Sequence, residues 1–169
     1  MDSLPLTEPV PLLKSHDTTG FDCGSTALND YLRKYALLNN QNRSARTYAA
    51  CRGDKVVGYY TLAAGSVAKD EVPSRVGQGL ANHPVSILLL ARLAVDNSEK
   101  GQGLGKGLLR DALRRSLQVV ELIGCRAVLV HAKDESAKAF YRKFGFEPSP
   151  IDEFHLYLLM KDIVASLRV

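Results

Sequence analysis

The hydrophobic residues of this chain recur in blocks whose periods predict strands and helices in alternation. Residues 85–95 are apolar at almost every position, which is typical of a β-strand buried on both faces. Residues 96–102 are polar and contain glycine. From Gly103 to about Gly124, apolar residues recur at helical spacing, with basic residues on the opposite face. The centre of the chain is therefore predicted to be a strand, a glycine-rich loop and a long helix.

The N-terminal part predicts a short strand, a helix and a hairpin. Residues 10–13 begin a strand, and Ser25 is suited to cap a helix over 26–38. The apolar stripe of this helix is predicted to contain Leu28, Leu32, Tyr35 and either Leu38 or Ala36. The polar residues 39–42 should break it. Two strands joined by the turn Gly53-Asp54 should follow, at 46–52 and 55–67.

The remaining segments complete an order of elements that alternates strands with helices. Two prolines and two glycines in residues 69–84 predict a long, mobile surface loop. Beyond the long helix, strands are predicted at 126–131 and 154–160, and a short helix at 134–143. Neither a repeat nor a linker divides the chain, so we expect residues 1–169 to form a single domain.

Composition excludes several classes of protein. The 169 residues are 46% hydrophobic and 24% charged, values of a globular protein and not of a disordered one. No signal peptide and no apolar run of membrane-spanning length are visible, so we expect no membrane association. Three widely spaced cysteines indicate a reduced, cytoplasmic protein, and no pair has zinc-binding spacing. We therefore expect no metal.

Positive charge is concentrated in one part of the chain. The formal net charge is only +4, but residues 23–53 carry five basic side chains against Asp30 alone. A locally basic face indicates a polyanionic partner, of which nucleic acid is the obvious example. The alternative interpretation is a solvated helix surface without a ligand.

The glycine-rich loop between strand and helix has the geometry of a pyrophosphate site. Such a loop directs backbone N–H groups and the positive end of a helix at an anion. Glycines at 101, 103, 105 and 107 allow a ligand to approach the backbone. Gly107 stands where a nucleotide-triphosphate loop needs Ser or Thr, and the dinucleotide pattern G-x-G-x-x-G also fails.

The remaining pattern is a basic or amide residue followed by x-x-Gly-x-Gly, directly after a strand. Residues 100–105 fit it, and Gln102-x-x-Gly105-x-Gly107 fits it as well. This pattern resembles the acetyl-coenzyme A loop of the GNAT superfamily of N-acetyltransferases, although Lys100 stands where Arg or Gln is usual. The resemblance implies an α/β fold with a mixed, mostly antiparallel central sheet flanked by helices, and acetyl-CoA as cosubstrate. The loop residues that it implies for coenzyme binding are Lys100, Gly101, Gln102, Gly103, Leu104, Gly105 and Lys106.

A second segment, residues 136–146, resembles the short helix and turn that close a GNAT fold around coenzyme A. Many family members have a tyrosine at the position of Tyr141, whose hydroxyl can protonate the departing thiolate. The alternative role is an aromatic packed beside Phe140 and Phe144. Further positions that match coenzyme contacts in the family are Ser136, which could instead cap the helix, Phe140, and the main chain of Leu93, Ala94 and Val95.

No general base stands out in the sequence. Asp134 and Glu135 lie where the helix dipole favours acids, and Glu99 belongs to the loop. The histidines at 16, 83, 131 and 155 are scattered, and His131 alone is predicted to lie near the cleft. A structural or surface role is the better interpretation of each.

Six segments together resemble one branch of the superfamily, the GNAT toxins of bacterial type II toxin–antitoxin pairs. They are residues 21–24, 46–48, 58–62, 91–96, 130–132 and 139–146. The resemblance implies a cytoplasmic homodimer that acetylates the free α-amino group of aminoacyl-tRNA. It also implies a ribbon-helix-helix antitoxin, whose complex with the toxin binds operator DNA. Candidate tRNA contacts are Arg43, Arg46, Arg52, Arg75 and Arg92.

Two other classes of function stay open at this point. One is an acetyltransferase that acts on a small amine, an antibiotic or a protein, and for cationic substrates it predicts an acidic cleft. The other is a non-catalytic acyl-CoA-binding module that keeps the fold but not the reaction, and the presence of both Tyr141 and an intact loop disfavours it.

Overall fold

The computed structural model describes residues 4–168, which divide into two compact units. The first unit contains residues up to Ala63 together with Ala91–Ala112, and the second contains Ala64–Leu90 and residues from Leu113 onward. Two strands and one long helix pass from one unit to the other, so each unit contains a portion of them. Among the described residues no helix is both long and apolar enough to cross a bilayer.

The strands of the first unit follow the order β1-β2-β3-β4. They are β1 (Val10–Pro11), β2 (Arg46–Arg52), β3 (Lys55–Val67) and β4 (Val85–Val95), of which this unit holds β3 up to Ala63 and β4 from Ala91. Both β1–β2 and β2–β3 are antiparallel. The bounds of β2, β3 and β4 confirm the predictions, whereas β1 is two residues shorter than predicted.

The helix of the first unit, α1, has three consecutive segments, Thr26–Asp30, Tyr31–Tyr35 and Ala36–Asn42. The middle segment is a π turn, in which the Ala36 N–H donates to the carbonyl of Tyr31, five residues earlier. Ser25 caps the helix as predicted, by accepting a hydrogen bond from the Leu28 N–H.

Two predictions for α1 were wrong. The helix continues through residues 39–42, because the buried Asn40 amide is satisfied by tertiary bonds to the Leu12 carbonyl and the Thr47 N–H. Tyr35 is exposed instead of lying in the apolar stripe, and of the two alternatives for the last position Ala36 is buried and Leu38 is exposed. The π turn adds a residue, so the buried positions become Leu32, Ala36 and Asn40.

The strands of the second unit follow the order β3-β4-β5-β7-β6. The new strands are β5 (Ala127–His131), β6 (Glu147–Pro148) and β7 (His155–Leu159). β5 lies parallel to β4 at Ile87–Leu90 and antiparallel to β7, which is antiparallel to β6. One parallel pair among antiparallel ones confirms the predicted mixed, mostly antiparallel sheet. The sequence did not predict β6.

The helices of the second unit correct several predicted bounds. They are α2 (Ser74–Gly77), the C-terminal half of α3 (Leu104–Val120), α4 (Glu135–Lys143) and α5 (Ile163–Ser166). The loop predicted at 69–84 contains α2 and the turn Lys69–Glu71, because Val72 and Val76 are buried against β4, β5 and β7. The long helix ends at Val120 and not near Gly124.

The core of each unit is apolar and continuous. In the first unit Phe21, Tyr31, Leu32 and Tyr59 pack into one buried cluster with residues of β2 and β4. The predicted burial of β4 on both faces is only partly correct, because Ser86 is exposed and Leu89, Ala91, Arg92, Leu93 and Val95 are half-buried.

Candidate active site

The loop after β4, in the first unit, is held in place by the buried carboxylate of Asp96. Its Oδ1 accepts from the Asp22 N–H at 2.9 Å, and its Oδ2 accepts from the N–H and hydroxyl of Ser98 at 3.0 and 2.6 Å. Burial alone would raise the pKa of Asp96, but these hydrogen bonds outweigh it and hold the pKa below its ordinary value. Asp96 therefore fixes the loop as an ionised acceptor.

The segment before α1 is joined to the same loop. The carbonyl of Asp22 accepts from the Asn97 N–H at 2.8 Å, and its carboxylate accepts from Gly24 N–H and the Asn29 side chain. Lys100 donates to the carbonyl of Cys23 at 2.6 Å. The ammonium group of Lys100 is thus engaged by protein backbone, so this side chain orders the loop that was predicted to bind the coenzyme.

Arg52 is also engaged by the loop. Its guanidinium forms an ion pair with the buried Glu99 carboxylate and donates to the Leu4 carbonyl at 2.6 Å. The hydrogen bond that Arg52 donates to the Glu99 carboxylate raises the pKa of Arg52 above its ordinary value. Because Arg52 already donates hydrogen bonds to Glu99 and Leu4, it has few donors left for the tRNA contact that was predicted for it.

The glycines of the loop leave the start of α3 open to a ligand. Gly101 and Gly103 have φ of +79° and +85°, and a Cβ at either position would meet no atom within 4 Å. At the start of α3 the Gly107 N–H donates to the Gly103 carbonyl at 3.0 Å, so the N–H groups of Leu104, Gly105 and Lys106 have no intrahelical acceptor. An anion fits this arrangement. Because the Gly107 N–H is already bonded, the geometry favours the register of residues 100–105.

The C-terminal end of β4, residues 91–95, pairs with β3 on one side, and its other side is where backbone N–H groups could contact a ligand. The Asp96 N–H donates to the carbonyl of Val57 at 2.8 Å, so β3 still pairs with the chain at this point. The parallel pairing of β4 with β5 covers Ile87–Leu90 and does not include residues 91–95. The main chain of Leu93, Ala94 and Val95 is predicted to contact the acetyl group, and a free strand side is what that role requires.

Tyr141, on α4 in the second unit, is buried and only 8% exposed. Its ring lies edge-on to Phe140 at 5.2 Å and is tilted against Phe146 at 5.5 Å between ring centres. Burial raises the pKa of Tyr141 well above its ordinary value. Within residues 4–168 its hydroxyl forms no hydrogen bond, although buried tyrosines usually have a partner. A protonated hydroxyl is therefore left for a ligand.

The position of α4 is fixed at both ends. Asp134 caps the helix by accepting from the Ala137 N–H at 2.8 Å. The alternative assignment of Ser136 as the cap is wrong, and Ser136 is exposed. After the helix, Gly145 adopts φ of +91° and the Ser166 hydroxyl donates to the Phe144 carbonyl at 2.5 Å. Phe140 is half-buried between its aromatic neighbours.

The other predicted tRNA contacts differ in how far their charge is already neutralised. Arg75, in the second unit, forms ion pairs with Glu147 and Asp162 at 2.5 and 3.0 Å. Arg43 and Arg46, in the first unit, are exposed, and within residues 4–168 neither has an ion-pair partner. Arg92 lies over the ring of Tyr31, with 3.6 Å between its Cζ atom and the ring centre.

The histidine predicted near the cleft belongs to a stacked pair. The rings of His131 and His155 are 4.0 Å apart at their centres, and His155 lies 3.4 Å from Asp152. His131 is exposed at the strand end, but partial desolvation, together with the neighbouring His155, lowers its pKa. Among residues 4–168, no three His, Cys, Asp or Glu side chains are grouped so as to hold a metal ion.

The Asp96 network leads to a stability prediction. Replacing Asp96 with Asn puts an amide where a charged acceptor binds three donors, and hydrogen bonds to charged groups contribute about 1.5–3 kcal/mol. We expect Asp96→Asn to lower the free energy of unfolding by about 2 kcal/mol at pH 7, measured by urea denaturation. Because the folded-state pKa is lowered, the difference from wild type should disappear as the pH falls through that pKa.

The matched control is Asp70→Asn, which removes an exposed carboxylate from the second unit. An Asp96→Asn protein as stable as this control would show that the loop does not depend on the carboxylate.

Comparison with known proteins gives two matches to the sequence. The family model described as an acetyltransferase (GNAT) domain matches residues 43–148. A tRNA-acetylating toxin of Mycobacterium tuberculosis (strain ATCC 25618 / H37Rv) is 49% identical over 159 residues, which are 94% of this chain and 95% of the relative.

Three solved structures are similar in fold over 95% of this chain. The toxin AtaT complexed with acetyl-methionyl-tRNAfMet has a TM-score of 0.88 at 29% identity, and 98% of that chain is covered. A Tyr-to-Phe variant of AtaT, bound to the C-terminus of the antitoxin AtaR and acetyl-CoA, has a TM-score of 0.80 at 30% identity and 97% coverage. A KacTA–DNA complex has a TM-score of 0.75 at 34% identity and 97% coverage.

Proposed function

Because the chain belongs to the GNAT acetyltransferase family, we propose that it transfers an acetyl group from acetyl-CoA to the free α-amino group of aminoacyl-tRNA. This reaction blocks translation, and the protein is therefore a toxin. The observation that carries the proposal is 49% identity to a tRNA-acetylating toxin over nearly the whole of both chains.

The proposed coenzyme site consists of the glycine loop and the start of α3. The open space at Gly101 and Gly103 and the free N–H groups of the first helical turn support pyrophosphate binding there. Lys100 is proposed to act through its bond to the Cys23 carbonyl, which holds the loop. The remaining coenzyme contacts proposed are Gln102, Gly105 and Lys106, the main chain of Leu93, Ala94 and Val95, and the side chains of Ser136 and Phe140.

Tyr141 is the proposed general acid. When bound, acetyl-CoA supplies an activated acetyl thioester. Tyr141 is a buried residue whose hydroxyl stays protonated at neutral pH and has no hydrogen bond within residues 4–168, so it is suited to donate its proton to the departing thiolate. The α-amine of an aminoacyl ester is less basic than that of lysine, so a large fraction is neutral at pH 7 without a general base.

The test is to incubate total aminoacyl-tRNA with acetyl-labelled acetyl-CoA and score label on the amino acid. Label in the ester-linked amino acid is expected. A protein that leaves charged tRNA unlabelled but acetylates a polyamine or an aminoglycoside would replace this proposal with the small-amine alternative.

Arg43 and Arg46 are proposed to attract the tRNA backbone, because they are exposed and carry no ion pair within the described residues. For each phosphate contact, the slope of log affinity against log salt is about 0.7 to 0.9. We expect the double variant Arg43→Ala/Arg46→Ala to lose roughly 1.5 units of slope while acetyl-CoA affinity is unchanged. Filter binding over a salt series measures the slope.

The control removes the same charge elsewhere, as Arg114→Ala/Lys161→Ala, two exposed residues of the second unit. Equal slopes for both double variants would mean that Arg43 and Arg46 contribute only net charge.

We further propose an antitoxin of the ribbon-helix-helix type, whose complex with the toxin binds operator DNA, and a homodimeric toxin. An AtaT structure contains the C-terminus of its antitoxin, and the KacTA complex contains DNA. These complexes support the proposals that this chain has an antitoxin and that the pair binds DNA. We also propose a cytoplasmic location, because charged tRNA and acetyl-CoA are available there. The family match at residues 43–148 takes in residues of both units, which supports one acetyltransferase domain.

A further inference from the structure

Arg92 has unused hydrogen-bond donors although it is half-buried in the first unit. Its guanidinium lies 3.6 Å from the centre of the Tyr31 ring, and within residues 4–168 it forms neither an ion pair nor a hydrogen bond. The cation–π contact fixes the plane of the guanidinium but satisfies none of its five N–H donors. A half-buried guanidinium held in this way is ready to bind an anion.

An exposed aromatic ring lies beside this pair. Tyr35 is 53% exposed, and its ring centre is 6.4 Å from that of Tyr31, at an interplanar angle of 32°. Tyr31 in turn stacks on the buried Tyr59 and accepts a hydrogen bond from Asn39. The rings behind Tyr35 are therefore fixed, whereas Tyr35 presents an open surface. The π turn Tyr31–Tyr35 spans both rings, and such turns are frequent at functional sites.

The charge around these rings favours a polyanion. Residues 31–53 contain five basic side chains and no carboxylate. Arg33 and Lys34, next to Tyr35, both pair with the single carboxylate of Asp30, so one positive charge stays uncompensated. Aromatic rings among basic side chains are the combination that binds single-stranded nucleic acid, by stacking together with phosphate contacts.

We propose that Tyr35 stacks on an unpaired base at the single-stranded 3′ end of the tRNA, while Arg92, held by Tyr31, binds an adjacent phosphate. The inference rests on the proposed function and names a nucleotide subsite within it. A base-paired stem does not fit Tyr35, because a ring stacks only on a base whose face is free. The aminoacyl group does not fit Arg92, since it carries no phosphate and its α-carboxyl is esterified.

The test uses an uncharged acceptor-stem RNA with an unpaired 3′ end that contains 2-aminopurine, whose fluorescence falls on stacking. Binding is thus measured without acetyl transfer. Loss of one base–aromatic stack weakens binding by roughly 5- to 150-fold. We expect Tyr35→Ala to show this weaker binding and to lose the quenching of 2-aminopurine. Tyr35→Phe keeps the ring and should bind and quench nearly as wild type does. Leu38→Ala, which truncates an equally exposed residue (55%) on the same helix, should also behave like wild type.

Salt dependence separates stacking from charge. Tyr35→Ala should weaken binding without changing the salt slope, whereas Arg92→Ala should lower the slope by about 0.7. On a blunt, fully paired RNA, Tyr35→Ala should bind like wild type. The proposed stacking on Tyr35 would be refuted if Tyr35→Ala quenched 2-aminopurine as fully as wild type does. It would also be refuted if Tyr35→Ala lost as much affinity for the blunt RNA as for the RNA with an unpaired 3′ end. If wild-type protein quenches 2-aminopurine but does not acetylate charged tRNA, the stacking on Tyr35 is supported and the proposed transfer reaction is refuted.

Discussion

Replacing Tyr141 with phenylalanine should reduce acetyl transfer to aminoacyl-tRNA by about 10²–10⁴-fold, the usual contribution of general acid catalysis. The change removes only the hydroxyl, so the packing of the ring against Phe140 and Phe146 is retained and the protein should fold. Transfer is measured under single-turnover conditions with saturating acetyl-CoA. Expression of wild type without its antitoxin should arrest growth, and expression of Tyr141→Phe should not.

The control for this experiment is Tyr157→Phe. Tyr157 is another buried tyrosine of the second unit, on β7, and burial raises its pKa to about 12. Its variant should transfer acetyl at the wild-type rate. Equal rates for Tyr141→Phe and wild type would mean that Tyr141 is only a core aromatic. The solved structures of AtaT include a Tyr-to-Phe variant, so the same type of change is compatible with that fold.

Introducing aspartate at Gly103 should weaken acetyl-CoA binding by at least about 100-fold, since placing like charges against each other costs several kcal/mol. The Cβ of the new residue would point into the open space beside the loop, where the pyrophosphate is proposed to bind. Isothermal titration calorimetry with acetyl-CoA measures the loss. Gly103→Ala should lose less, because it adds no charge.

Backbone strain is controlled by Gly79→Asp. Gly79 has φ of +79° and open space around its Cβ position, as Gly103 does, but it lies in the second unit, outside the coenzyme loop. Both substitutions carry a similar conformational cost in the left-handed region. If Gly79→Asp binds acetyl-CoA normally and Gly103→Asp does not, strain is not the cause. Normal affinity in Gly103→Asp would remove the coenzyme assignment from this loop.

The sequence by itself determined the features that depend on local periodicity and turn chemistry. Strands β2, β3 and β4 have their predicted bounds, because alternating or continuous apolar runs end at Gly-Asp or at a polar loop. The proposed coenzyme loop and the proposed general acid Tyr141 were predicted from short motifs, and a glycine pattern after a strand constrains the backbone directly. The family resemblance drawn from these motifs is confirmed by the comparisons.

Only the tertiary structure decided where individual polar side chains act. Lys100 and Arg52 bond to Cys23 and Glu99, contacts between residues 47 or more positions apart that no local pattern specifies. The π turn in α1 is not visible in the residue spacing, and the segment after it stays helical because Leu12 and Thr47, from other parts of the chain, bond to the buried Asn40 side chain. That turn changes which side of the helix is exposed, and so it makes Tyr35 a surface residue beside Tyr31 and Arg92 instead of a core residue.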